Sequence, residues 1–394
     1  VGRTAGRTSR LRGRAAHRVQ TASRVQPERR ATGRTRLARA VPLAAAALLA
    51  GCSAGAAPGR PVAASAQPPL RILIIGDSIT HESAGDYTWR YRLAQHLERT
   101  ARGQVDFVGD HDDIWDNVAD KSGSYDYADP DFDRQHHARW GDSLRNEVPH
   151  IADAARANPA DVMLVALGAN DLAYFTQPPD TAVLMRQLID NVRQVNPNMT
   201  FVVAHVLTRA DFNDDSMNLP GAPPFNAILD AQAPGWSTPT SKVVVARTDL
   251  GWNPLRDAWD GSHPTPDGEE IIARGFADAL AGLGIGADYG PLPAHIPWPG
   301  IGRAPVVVPA AAGDTRVTLT WPATPGATQF IVERQVVTWH EPGFTAAPGS
   351  VAGYTWTSDP LVPGVTVAYR VVPMKGRMAG SPSPATTYTV APLR

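Results

Sequence analysis

The chain is predicted to be an α/β protein, a three-layer α/β/α sandwich around a five-stranded parallel sheet, followed by an all-β sandwich. Three observations predict this. Five apolar runs, at 70–75, 105–108, 161–167, 201–206 and 243–246, alternate with candidate helices near 88–99, 144–157, 181–195, 223–231 and 266–282. Apolar runs of that length fit strands buried on both faces, and right-handed crossovers then cover both sides of the sheet with helices. After a Pro- and Gly-rich stretch at 289–304 the pattern changes to alternation with period two, at 315–321, 329–334 and 365–371. Short alternating strands separated by turn residues predict a β-sandwich over 305–394.

The first fifty residues carry twelve Arg, no Lys and a single acidic residue, Glu28. The apolar run Val41–Ala50 follows, then Gly51 and Cys52. Ten apolar residues are too few to span a bilayer, so 1–51 is predicted to be a signal peptide or leader. Leu49-Ala50-Gly51-Cys52 resembles a bacterial lipobox. The resemblance implies a lipidated Cys52, followed by an Ala-, Gly-, Ser- and Pro-rich tether over 52–68. Cys52 is the only cysteine, which excludes an intramolecular disulfide. Without residues 1–51, Lys+Arg falls from 37 to 25 and Asp+Glu from 38 to 37, a formal charge near −12. That balance gives nucleic-acid binding little electrostatic support.

The first strand, 70–75, stops abruptly at Gly76-Asp77-Ser78. Open α/β sheets place their ligands at this edge. The run ending at Leu167 is followed by Gly168-Ala169-Asn170-Asp171, and Asp260-Gly261-Ser262-His263 comes near the end of the same domain. Each element has a plain alternative reading. Gly, Asp, Ser and Asn form turns, and Asp260 and His263 in isolation read as loop residues capping the next helix. Their joint order in one α/β domain favours a site. Pro264 and Pro266 then suit a rigid loop entering a helix whose first turns hold Asp267, Glu269 and Glu270.

On these residues the chain resembles the SGNH (GDSL-type) hydrolases, a family of serine esterases and lipases, over roughly Pro69 to Leu283. Gly76–Ser78, Gly168–Asp171 and Asp260–His263 match three of the family's blocks, and Gly141 in Gly141-Asp142-Ser143 is the candidate for the fourth. Pro69–Ile72, Trp89–Leu93 and Val105–Gly109 are further similar to the acetylxylan-esterase branch of carbohydrate esterases. The resemblance implies a hydrolase domain over 69–288, with Ser78, Gly141 and Asn170 as the oxyanion hole. Gly141-Asp142-Ser143-Leu144 spells the family's nickname, but no apolar strand precedes it, so Ser78 is read as the nucleophile.

Chemistry supplies the remaining roles. A serine hydroxyl needs a base to take its proton, which suits His263, and Asp260 three residues earlier can hold the imidazole in one tautomer. Asp77 and Asp171 are read as organising the loops. No Gly-x-Ser-x-Gly surrounds Ser78, so an α/β-hydrolase elbow is not indicated. His81, His111, His136 and His137 show no metalloprotease-like spacing, so neither a metal nor another cofactor is expected. The nine aspartates of 110–133 match no twelve-residue calcium loop and are read as a solvated loop beside the site.

The leading expectation is a secreted serine esterase, anchored through Cys52 to the outer face of a bacterial membrane, that removes short acyl groups, foremost acetyl, from a carbohydrate. Trp89, Trp115, Trp140, Trp252 and Trp259 fall near the site loops, where aromatic faces can stack on sugars, although burial in the core is the commoner fate of Trp. The competing readings are a lipase or phospholipase on longer chains, an acyltransferase, and a carbohydrate-binding surface protein with a degenerate site. The C-terminal segment resembles a fibronectin type III module, holds no catalytic cluster, and is assigned spacing or weak binding.

Overall fold

The structure is a computed structural model that describes residues 68–392 apart from 297, 299–300, 302–306 and 312–314. The leader, Cys52 and all but the last residue of the 52–68 tether lie outside the described residues, as does part of the 289–304 linker.

The first domain is built on parallel strands β1 (Leu70–Gly76), β2 (Val105–Val108), β3 (His137–Ala138), β4 (Val162–Ala166), β5 (Thr200–Ala204) and β6 (Val243–Ala246). Their order is β6-β5-β4-β1-β2, with β3 pairing the end of β1. Five strands match the expected runs, while the two-residue β3 is an addition too short to leave a pattern. Ile72, Leu73, Ile74 and Ile75 of β1 are all fully buried. Ile72 and Ile74 face a core that includes Trp89 and Phe276; Leu73 and Ile75 face one that includes Met185 and Phe225. Burial on both faces explains the uninterrupted apolar run. Trp89 stacks on Phe276 with centroids 4.6 Å apart, joining helix 89–100 to helix 266–281.

β2 pairs the first half of β1, and β3 pairs the last two residues, Ile75 with His137 and Gly76 with Ala138. The connection leaves the sheet at Gly109 and returns at His136. A Cβ on Gly109 would sit 2.1 Å from the His136 carbonyl oxygen, so the crossing requires glycine. His111 and His136 exchange backbone hydrogen bonds at 3.0 and 2.9 Å. Between these points Ile114–Asp116 and Lys121–Ser124 form a hairpin. The Asp-rich stretch is therefore not simply a solvated loop: Asp113, Ile114 and Tyr127 are buried. Its carboxylates cap amides inside it. Asp116 accepts from Val118 and Ala119, and Asp129 from Asp131.

The helix expected over 144–157 is two helices, Leu144–Glu147 and Ile151–Ala157. Pro149 lies between them and lacks the N–H that a continuous helix needs. The helix expected from 181 starts at Pro178, because Pro178 and Pro179 fit the first helical positions. Short helices at Ser78–His81 and Ala169–Tyr174 follow β1 and β4 directly.

The second domain is an antiparallel β-sandwich. One sheet contains Val308–Ala311, Val317–Thr320 and Thr355–Thr357; the other is centred on Gln329–Val336 and Thr366–Lys375. Trp321 packs edge-on against Phe330 in its core.

His137 ties β3 to the rest of the first domain: Nδ1 donates to Asp110 and Nε2 to Glu147, the latter at 2.9 Å. Burial works against protonating this ring, but Asp110 and Glu147 outweigh it and raise the imidazolium pKa to about 9. The folded value lies above the ordinary 6.5, so this contribution to stability is complete below about pH 6.5 and is lost as pH rises through about 9. Thermal unfolding between pH 6 and 10 should show a fall in Tm on that limb, and His137→Gln should flatten it. An unchanged slope in the variant would contradict the clamp.

Candidate active site

β1 and β4 are neighbours, and their following loops leave side by side at the carboxyl edge of the sheet. At Gly76 a Cβ would lie 2.1 Å from Thr80 Oγ1, so only glycine lets the chain turn directly into the Ser78–His81 helix. Asp77 caps that helix by accepting the Ile79 N–H at 3.0 Å. Burial raises the Asp77 carboxyl above its ordinary value, opposed chiefly by Arg209. Its contacts are those of a turn-organising residue.

Ser78 is 5% exposed, and its Oγ lies 2.8 Å from His263 Nε2. His263 Nδ1 lies 2.7 Å from Asp260 Oδ2. The other Asp260 oxygen accepts the Ser262 and His263 backbone N–H groups at 2.9 and 2.8 Å. Burial disfavours the Asp260 charge, but His263 and the two amides prevail and hold the carboxyl at about 2. A carboxylate facing Nδ1 requires a proton there, which leaves Nε2 to accept a hydrogen bond from the Ser78 hydroxyl. Trp259 N–H donates to His263 O at 2.9 Å, closing the loop on itself. At Gly261 (φ +87°) a Cβ would meet Ala210 O at 2.1 Å, so a side chain there would push the loop out.

Two indoles stack on the imidazole. Trp140 stacks on His263 with centroids 4.4 Å apart and planes 15° apart, and Trp259 does so at 5.3 Å and 22°. Trp115 stacks on Trp140 at 5.4 Å. Of the five Trp singled out in the sequence, three thus form a wall behind the imidazole. The other two brace the fold: Trp89 is in the core, and Trp252 donates to Thr208 O at 2.9 Å.

Gly141 and Asn170 line the same cleft as Ser78, Asp260 and His263. Gly141 has φ +81°, a backbone that glycine adopts without strain. Neither the Ser78 nor the Gly141 backbone N–H donates to a protein acceptor among the described residues. Asn170 Nδ2 donates one hydrogen to Asp142 O at 2.7 Å, leaving the second, while its Oδ1 accepts from Arg209 at 3.2 Å. No sequence motif singles out Arg209. Asp171 accepts the Leu144 and Arg145 N–H groups at 2.8 and 3.0 Å, which fixes the segment after Gly141. Ser143 is fully buried and caps the next helix, accepting from Asn146 N–H at 3.2 Å.

One cluster among the described residues brings together potential metal ligands: His81, Asp113 and His136, all buried, with ligand atoms within 4.8 Å of one another. Both His136 ring nitrogens are engaged, Nδ1 by the Ala138 N–H and Nε2 by Asp113 O. His81 Nδ1 accepts the Trp140 N–H at 3.1 Å. Only His81 Nε2 and the Asp113 carboxylate, 3.6 Å apart, remain, and the nearer carboxylate oxygen already accepts the Gly123 N–H. Two such donors fall short of the three or four protein ligands of a zinc site. The cluster acts as a brace under the Trp140 loop.

The cleft around Ser78 is open, about 730 Å³, and is lined by Arg209, Asn213 and Asn218 together with Tyr174, Phe175 and Phe212. A separate, largely apolar cavity, with Trp89, Leu207, Ile272 and Phe276 among its walls, holds only about 30 Å³, and its walls do not include Ser78.

The sequence profile of the GDSL-like Lipase/Acylhydrolase family matches residues 74–271. No curated protein sequence matches the chain. Among solved structures, it is similar to a carbohydrate esterase family 3 protein from Talaromyces cellulolyticus (21% identity, TM-score 0.46, covering 54% of this chain and 97% of that one). A Clostridium thermocellum family 3 carbohydrate esterase is similar at 22% identity and TM-score 0.44, covering 55% and 97%. An Fn3-like protein from Clostridium thermocellum matches at 20% identity and TM-score 0.20, covering 22% and 91%. With its parallel sheet, its turn at Ser78 and a family match that spans half its length, the chain belongs to the GDSL-like lipase/acylhydrolase family of ester hydrolases.

Proposed function

We propose that the protein is a short-chain serine esterase acting on acylated carbohydrates, with Ser78 as nucleophile, His263 as base and Asp260 as its partner. The observation that carries this reading is the relay of 2.8 and 2.7 Å contacts from Ser78 through His263 to Asp260. Ser78 Oγ attacks the ester carbonyl while His263 Nε2 takes its proton. The proton then passes to the leaving alcohol, and water, activated by the same imidazole, releases the acid. The imidazolium formed in each step is balanced by Asp260 and faced by the Trp140 and Trp259 rings, whose negative faces attract a cation. The Ser78 and Gly141 amides and the free Asn170 hydrogen supply donors for the oxyanion.

The cleft supports the substrate class. Amide and guanidinium groups beside exposed aromatic rings suit a polyhydroxylated alcohol. Hydrolysis of p-nitrophenyl acetate, butyrate and decanoate should fall with chain length. Ser78→Ala should abolish turnover, and Asn170→Ala should lower it about a hundredfold or more, the usual loss for one oxyanion donor. A decanoate preference would move the assignment to a lipase. Equal rates with and without Ser78 would remove the nucleophile.

The basic leader, the apolar run Val41–Ala50 and Leu49–Cys52 support a lipoprotein on the outer face of a bacterial membrane, anchored through Cys52. In a bacterial host, the full chain should fractionate with membranes and Cys52→Ser should appear in the soluble fraction. Membrane association that survives the substitution would contradict the anchor.

A further inference from the structure

Lys375, at the end of the Thr366–Lys375 strand, belongs to the β-sandwich, yet its side chain is completely buried against the first domain. Its ammonium pairs with Asp86, donates to Ala84 O at 3.4 Å, and lies 4.3 Å from the Trp298 ring centroid and 5.3 Å from that of Trp259. Asp86 is itself anchored, its second oxygen accepting the Ser83 N–H and O–H at 3.1 and 2.9 Å. The next two residues grip the backbone of Trp259. A Cβ on Gly376 would fall 1.8 Å from Trp259 O, and the Arg377 N–H donates to that same oxygen at 3.3 Å. Met378 packs with Trp259, Trp298 and Ile301.

Trp259 therefore has two sets of partners. The sandwich holds it by ring and carbonyl, and it stacks on His263 while donating its N–H to His263 O. A buried lysine is an expensive way to attach a spacer. Buried ion pairs add little stability over apolar packing, and their best-attested use is to fix register. Here the register fixed is that of the β-sandwich against the loop carrying Asp260 and His263.

We propose that the C-terminal sandwich is a working part of the esterase site, with Lys375 a positioning residue that acts through Asp86 and Trp259 to hold the His263 imidazole on Ser78. The inference rests on the reading of His263 as the base. Its consequence is that the sandwich is not a spacer: disturbing its 375–377 turn lowers turnover without weakening substrate binding.

Two full-length variants test this. Lys375→Met combined with Asp86→Asn removes both charges, so neither is left buried and unpaired. Gly376→Ala pushes on Trp259 O and leaves the ion pair in place. Each is compared with the parent and with Ser78→Ala for kcat and KM on p-nitrophenyl acetate, with near-UV circular dichroism reporting the fold. A small ester makes no distant contacts, so KM reports only the immediate site. The expected result is a folded protein whose kcat is lower by about tenfold or more, with KM within about twofold, as misplacement of a catalytic group predicts. If the paired variant does not fold, Gly376→Ala decides alone. Parental kcat in a folded variant, or a rise in KM alone, overturns the proposal. Activity that survives Ser78→Ala removes the underlying reading of the site, and the inference with it.

Discussion

The His263 imidazole is the point on which the rest of the structure converges. It is held in plane by Asp260 and Ser78, at 2.7 and 2.8 Å, and the rings of Trp140 and Trp259 stack on it. The constraints come from three separate parts of the chain. Ser78 opens the short helix after the first strand, Trp140 follows β3, and Asp260 and Trp259 share the loop before the last helix of the first domain. A ring held by two hydrogen bonds and stacked against two indoles has little freedom left to lose if it takes up a proton. That preorganisation is what a base needs if reorganisation is not to add to the barrier.

The sheet order makes this convergence possible. The strands after β1 run first to one side of it, β2, and then to the other, β4 onward, so the loops after β1 and β4 part at a common edge. The short β3 extends the β2 side of that edge and delivers Trp140 and Gly141. Its position depends on few groups: the glycine crossing at Gly109, the His137 clamp, and Asp171, which holds the segment after Gly141 from across the cleft. A two-residue strand bonded to one neighbour buries too little to hold itself, which explains why side-chain clamps cluster around it.

Much of this was legible in the sequence, for identifiable reasons. The apolar runs marked the five long strands because a doubly covered strand has no polar face. Ser78, Asp260 and His263 stood out because a strand-end serine and a three-residue Asp–His spacing fit one chemistry. The 110–133 stretch reads as solvated from its aspartates alone, whereas several are spent on internal amides. Pro149 is the local sign of the helix break, set inside a stretch that otherwise reads as one helix. Lys375 had no local signature. Its partner Asp86 is 289 residues away, in another domain, and the alternation legible over 365–371 ends before it. Arg209 was hidden likewise, since its contact with Asn170 crosses from one strand-end loop to another.

The central claim is that an acyl group passes through Ser78. The most direct test is to quench the protein during turnover of p-nitrophenyl acetate and map the acetyl adduct by peptide mass spectrometry. The account predicts the adduct on the peptide containing Ser78, and its absence when His263 is replaced by Ala. An adduct on Ser143, or rapid turnover with no adduct detectable on any serine, would contradict it.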